Sequence, residues 1–210
     1  MHGVTDCKAV DHAVAARPFP GEVESGDRHA VIARPRGTIL AVADGLGHGY
    51  EAAVAAKLAM QVVTAQAHLP LLSIVKSCHE ALVRTRGVAL IVASLEWSDE
   101  TMTWVSIGNV AGLLLRVDGQ GLVQREHVMM RNGVVGNRLP PLRATTIALR
   151  RGDLLVFATD GVREGFQDDV RLDARPQETA DRILERYGRA TDDALVLVGR
   201  WNGPPAPLAA

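Results

Sequence analysis

The sequence predicts an α+β fold in which antiparallel sheets carry helices on their outer faces. Three observations predict it. Helical periodicity is confined to two consecutive segments and one later segment, so helices do not alternate with strands as a doubly wound parallel sheet requires. Several runs are apolar throughout, among them Ile39-Leu40-Ala41-Val42-Ala43, Leu154-Leu155-Val156-Phe157-Ala158 and Ala194-Leu195-Val196-Leu197-Val198. Such runs are strands of a sheet core. Between them, turn-forming groups such as Ser98-Asp99-Glu100, Asp118-Gly119-Gln120-Gly121 and Arg151-Gly152-Asp153 punctuate the middle of the chain.

The elements follow in order. Residues 8–16 and 28–34 are expected strands, joined by a polar turn that holds Glu22, Glu24, Ser25, Gly26 and Asp27. Residues 38–43 form a third strand. A glycine-rich turn then leads into a helix over 49–67, in which Val54, Leu58 and Val62 recur at i, i+4, i+8. Its small residues Ala52, Ala55 and Ala59 allow close packing on the neighbouring side. Pro70 suits the first turn of a second helix, with Leu71, Ile74 or Val75, Cys78 and Leu82 inward. Strands are expected at Val88–Glu96, Thr101–Ile107, Ala111–Val117, Leu122–His127, Thr145–Leu149 and Asp153–Thr159. Pro176 opens the last helix, with Ala180, Ile183, Leu184 and Tyr187 inward, and residues 194–201 close the sheet. Met129, Met130, Trp97 and Trp104 are expected in the core or on a sheet face.

A chain of 210 residues fits one domain by the usual ~100–200 residues per domain. The domain is expected over residues 1–201, with Asn202–Ala210 a disordered tail rich in Pro and Gly. The net charge of −1, from 23 basic and 24 acidic residues, gives no long-range pull toward nucleic acid or an anionic membrane. Cys7 and Cys78 stand in neither a CxxC nor a zinc spacing. They read as free thiols in a reducing compartment. With no signal-peptide pattern and no run near the ~20 apolar residues of a membrane span, the expected location is the cytoplasm.

Chemistry is carried by aspartates at the ends of the apolar runs. Asp44 ends one run and opens Asp44-Gly45-Leu46-Gly47-His48-Gly49; Asp160 ends another and precedes Gly161; Asp192 and Asp193 precede the last. Taken singly, each Asp-Gly is an ordinary turn, as Asp118-Gly119 is expected to be. Converging carboxylates repel and call for a cation, and hard oxygen donors suit Mg²⁺ or Mn²⁺.

Together with Glu24-Ser25-Gly26-Asp27 and Trp104-Val105-Ser106-Ile107-Gly108-Asn109, these motifs resemble, in order over about residues 10–200, the SpoIIE-like type-2C (PPM) metal-dependent protein serine/threonine phosphatases. The resemblance implies two stacked antiparallel sheets flanked by helices and a two-metal site, holding two Mn²⁺ or Mg²⁺ ions, at one edge. It implies that Asp44 bridges both metals and that Gly45 offers its carbonyl to one. It further implies that Asp160 and Asp192 hold the other metal and that Asp27 contacts a metal directly or through water. Asp44, Asp160 and Asp192 are then the catalytic set. Two metals can share a water and aim it at phosphorus. No Gly-x-Ser-x-Gly elbow or cysteine-phosphatase loop is present to supply a side-chain nucleophile. Asp193 reads as an exposed residue or an acceptor outside the ligand set, and Glu24 as a support or a solvated turn carboxylate. In eukaryotic relatives a histidine follows the Asp-Gly pair directly. Here Leu46 does, so His48 does not inherit their general-acid role and is read as capping or orienting its turn. Asn109 either lines the site or ends a strand. Arg17 and Arg28 could bind a phosphate bidentately or lie on the surface.

Within that family the chain, in which no sensor domain is expected, is most similar to the RsbX subgroup. Gly133-Val134-Val135-Gly136 and Arg138-Leu139-Pro140 contribute to the likeness. The resemblance implies a phosphorylated STAS-domain partner of RsbS or RsbR type from a stressosome-like pathway. Two other expectations stand beside it: a phosphatase for an RsbV-like anti-anti-sigma factor, and an inactive phosphoprotein-binding module.

Overall fold

A computed structural model describes residues 9–205. Cys7, residue 8 of the first expected strand and residues 206–210 of the expected tail lie outside the described residues.

The strands are β1 (Val10–Arg17), β2 (Asp27–Arg34), β3 (Gly37–Gly45), β4 (Val88–Glu96), β5 (Thr101–Ile107), β6 (Ala111–Val117), β7 (Val123–His127), β8 (Met130–Arg131), β9 (Thr145–Ala148), β10 (Leu154–Ala158) and β11 (Ala194–Trp201). The helices are α1 (Tyr50–Ala65), α2 (Leu71–Leu82) and α3 (Pro176–Tyr187). One sheet runs β1-β11-β10-β6-β7; the other runs β2-β3-β4-β5-β8, with β9 also on β5. Every ladder is antiparallel except the two-residue β5–β8 pair.

The apolar runs are continuous because both faces of the central strands are covered, one by the other sheet and one by helices. Successive strand residues point to opposite faces. Ile39, Ala41 and Ala43 of β3, with Val88, Leu90 and Val92 of β4, pack under α1 and α2. Leu40, Val42, Ala89, Ile91 and Ala93 pack instead between the sheets, against Leu155, Phe157, Leu195 and Leu197. The other faces of β10 and β11, with Leu154, Val156, Val196 and Val198, meet Ala180 and Ile183 of α3. The layers are therefore helix, sheet, sheet, helix.

Two expected faces are corrected. In α1 the buried stripe is Ala52, Ala53, Ala55, Ala56, Ala59, Met60 and Val63. Val54 is exposed, and Leu58 and Val62 lie only at the margin of the core. Small residues win the inner face because α1 sits close on its sheet: a Cβ at Gly45 would collide with the Ala52 backbone. Met129 and Met130 are exposed, whereas Trp104 is fully buried and Trp97 packs at the core edge. At the C-terminus, the Asn202 amide donates to the Ala9 carbonyl at 2.8 Å, and Gly203 packs against Arg151. Asn202 and Gly203, the first two residues of the expected tail, thus lie against the domain.

Candidate metal centre

The alternation that builds the core also places the acidic residues. On β3, residues 40 and 42 face the other sheet, so Asp44 continues that side at the strand end. In the β2–β3 register Asp27 stands directly opposite Asp44, so both carboxyls share a face. On the second sheet, β10 ends at Ala158 and β11 begins at Ala194 as its antiparallel neighbour. Asp160 and the Asp192-Asp193 pair therefore emerge at one sheet edge. That edge meets the Asp27–Asp44 edge across the intersheet layer, and the contact is a hydrogen bond. Thr159 Oγ1 donates to Asp27 Oδ2 at 2.7 Å and accepts from the Leu195 amide at 2.9 Å.

The carboxyls act on one another's titration. Burial pushes the Asp44 carboxyl up to about 9, reinforced by Asp27, Asp160 and Asp192 and by a hydrogen bond with Asp160. Burial likewise raises Asp27 to about 7; Thr159 opposes the shift, and Asp193, Asp160 and Asp192 add to it. Asp192 is also raised, by burial first and then by Asp160. The groups do not form a closed cage: among the described residues, no three His, Cys, Asp or Glu side chains are arranged to hold an ion as they stand.

The residues present fit a hard divalent cation. The donors are all oxygens. Asp27 Oδ1 and Asp193 Oδ2 are buried with no hydrogen-bond partner, a costly condition that a cation would relieve.

The site residues expected from the sequence, Asp27, Asp44, Gly45, Asp160 and Asp192, all lie at this edge. Gly45 is buried at the end of β3, its amide donating to the Gly26 carbonyl at 3.0 Å. The aspartate beside Asp192 differs from one of its two expectations. Asp193 is 4% exposed, and its Oδ1 accepts from the Phe19 amide at 2.8 Å, so it is a buried acceptor that pins the loop after β1. Asn109 lines the site: its Nδ2 donates to Asp160 Oδ2 at 2.5 Å. His48 stacks on Phe19 with ring centroids 4.2 Å apart and stands 3.6 Å from Glu22, which orients the turn. Glu24 is an exposed partner of Arg28. Arg28 also donates to the Ser25 and Asp27 carbonyls, and Arg17 donates to the Arg189 carbonyl.

Two site residues were not foreseen. Thr159 joins the sheets, and only the Thr-Asp-Gly context of Asp160 could have pointed to it. Arg189 lies beyond α3, and its Nε donates to the Asp160 carbonyl at 3.1 Å. Beside Asp160 opens a groove of about 660 Å³ with Gly108, Asn109, Gly112, His127, Met130 and Arg189 among its walls.

Comparison with known proteins gives one family. The sequence profile of the Stage II sporulation protein E (SpoIIE) family matches residues 34–202. Phosphoserine phosphatase RsbX of Bacillus subtilis is 23% identical over 181 residues, covering 85% of this chain and 87% of RsbX. A chain from a structure of the bacterial stressosome, described as a modular system adapted to control secondary messenger signaling, superimposes with a TM-score of 0.82. It is 28% identical over 91% of this chain and 99% of its own. RsbX in complex with magnesium superimposes with a TM-score of 0.81 at 22% identity, over 92% and 96% of the two chains.

Proposed function

Since the chain belongs to the SpoIIE family, we propose that it is an RsbX-like protein serine/threonine phosphatase that requires divalent metal. The observation that carries the proposal is the meeting of Asp27, Asp44, Asp160 and Asp192 at one edge of the intersheet layer, with Asp27 Oδ1 buried and unpartnered.

In this reading Asp44, the Gly45 carbonyl, Asp160, Asp192 and Asp27 hold two Mn²⁺ or Mg²⁺ ions. When bound, the ions supply Lewis acidity that lowers the pKa of water and offsets phosphate charge. The protein's own residues set the geometry. Thr159 fixes Asp27 by its hydroxyl, and Asn109 fixes Asp160 by its amide. Asp193, held by the Phe19 amide, adds negative charge behind Asp27 without reaching the surface. The groove beside Asp160 admits the segment that carries the phosphorylated side chain.

The proposed substrate is a phosphorylated STAS-domain protein of RsbS or RsbR type. The stressosome structure and RsbX, to which this chain is similar, support that choice over an RsbV-like substrate. A catalytically inactive binding module is disfavoured because Asp44, Asp160 and Asp192 are all retained. The test is phosphate release from a serine-phosphorylated STAS-domain protein, with Mn²⁺ and with EDTA. Release with Mn²⁺ only, and unphosphorylated product by mass, is expected. Tight binding of the phosphoprotein without release would overturn the proposal in favour of the binding module.

A further inference from the structure

The groove beside Asp160 has a single wall residue with permanent positive charge, Arg189, among the described residues. Its backbone is clamped on both sides. The Arg189 amide donates to the Gly161 carbonyl at 2.7 Å, and its carbonyl accepts from Arg17 at 2.6 Å. Its Nε is fixed on the Asp160 carbonyl. Those three bonds leave the guanidinium held by one edge, and neither Nη has a hydrogen-bond partner among the described residues. The two arginines expected from the sequence as phosphate binders are committed elsewhere, Arg17 to the Arg189 carbonyl and Arg28 to Ser25, Asp27 and Glu24. Asp160 and Glu164 put negative charge on the groove wall, so a phosphate entering there gains from a cationic group at the mouth. A planar guanidinium at the mouth, near Asp192 but with neither Nη hydrogen-bonded, is the group suited to receive it.

We infer that Arg189 is the phosphate anchor of the groove, its two Nη groups receiving the oxygens of a phosphomonoester while Nε stays on the Asp160 carbonyl. This rests on the phosphatase reading of the same site. Arg17 is then a positioning residue that holds the anchor's backbone.

The experiment measures orthophosphate binding to the Mn²⁺-loaded full chain by calorimetry, alongside kcat and KM for p-nitrophenyl phosphate. The proteins are wild type, Arg189→Ala, Arg189→Lys and Arg171→Ala. Among the described residues the Arg171 side chain pairs only with Asp173, on the exposed surface, and it serves as the charge control. Arg189→Ala is expected to weaken orthophosphate binding and raise KM at least tenfold, with kcat changed less than threefold and an unchanged melting temperature. Lysine keeps the charge but loses both the Nε bond and the two-pronged Nη contact, so Arg189→Lys is expected to recover only part of the affinity. Orthophosphate affinity of Arg189→Ala within twofold of wild type, or equal loss in the Ala and Lys variants, would overturn the inference. The second result would assign Arg189 to holding Asp160 alone. Wild type that binds orthophosphate in an Arg189-dependent way yet hydrolyses nothing would uphold the anchor and sink the phosphatase reading. Hydrolysis by wild type with indifferent Arg189 variants would do the reverse.

Discussion

Asp27→Asn is predicted to stabilise the metal-free protein and to abolish the extra stability that metal confers. Asp27 is 2% exposed, its Oδ1 has no partner, and its carboxyl is raised from 3.8 to about 7. The sign follows from linkage. A carboxyl raised in the folded state contributes its full stability below the unfolded value of 3.8 and loses it as pH rises through about 7. The shift of about three units, at 1.36 kcal/mol each, sets a ceiling of about 4 kcal/mol near pH 8. Asparagine carries no charge to desolvate, and its carbonyl can keep the Thr159 hydrogen bond. Its amide hydrogens enter a neighbourhood of acceptors: Asp44, Asp160, Asp192 and Asp193. A gain of about 2–4 kcal/mol is expected. With an unfolding entropy of ~2.1 cal/mol/K per residue, that is a rise of roughly 5–9 °C in melting temperature for a chain of this size. The assay is thermal melting in EDTA at pH 4, 6 and 8, repeated at pH 8 with Mn²⁺. The gain should be absent at pH 4 and largest at pH 8. A hundredfold excess of Mn²⁺ over Kd should close most of that gap, because wild type gains about 2.7 kcal/mol and the variant gains little. A variant that melts at or below wild type in EDTA at pH 8, or a gain independent of pH, would refute the reasoning.

Other consequences follow from the same geometry. Metal must displace protons held by Asp44 and Asp27, raised to about 9 and about 7, so Mn²⁺ affinity should rise with pH from 6 to 9 by calorimetry; a flat profile would contradict the clustering. Thr159→Val removes the bond between the sheets and should cost about 1–3 kcal/mol in denaturant melts and weaken metal binding. Gly161→Ala would drive a Cβ into the Asp193 carbonyl and should destabilise the protein by about 3 kcal/mol or more, read by the same melts. Cys78 is buried and its thiol is pushed up to about 12 by desolvation, so it should resist a thiol reagent until the protein unfolds.

The fold was legible where burial is symmetric. Ile39–Ala43 and Ala194–Val198 are apolar at every position because sheet and helix cover opposite faces, and that pattern survives in one dimension. The aspartates were legible because they interrupt those runs at their ends. What failed depends on distance between layers. Nothing in the spacing of Val54, Leu58 and Val62 reveals that α1 lies too close for large side chains, so the alanine stripe took the inner face. The two-residue strand β8 is too short to leave a period, and exposed Met129 and Met130 look like core residues in composition alone. Thr159 acts across the sheets and Arg189 across the segment that holds α3, 132 and 29 residues from Asp27 and Asp160 respectively. Such partners become visible only once the two sheet edges are stacked.

The most direct test of a metal-dependent phosphatase is hydrolysis of p-nitrophenyl phosphate by the purified chain. Wild type and Asp44→Asn would be compared in EDTA, Mg²⁺ and Mn²⁺, with folding checked by circular dichroism. The account predicts turnover by wild type only with metal, and loss of at least a hundredfold in folded Asp44→Asn. Turnover in EDTA, or near-normal metal-dependent turnover in Asp44→Asn, would contradict it.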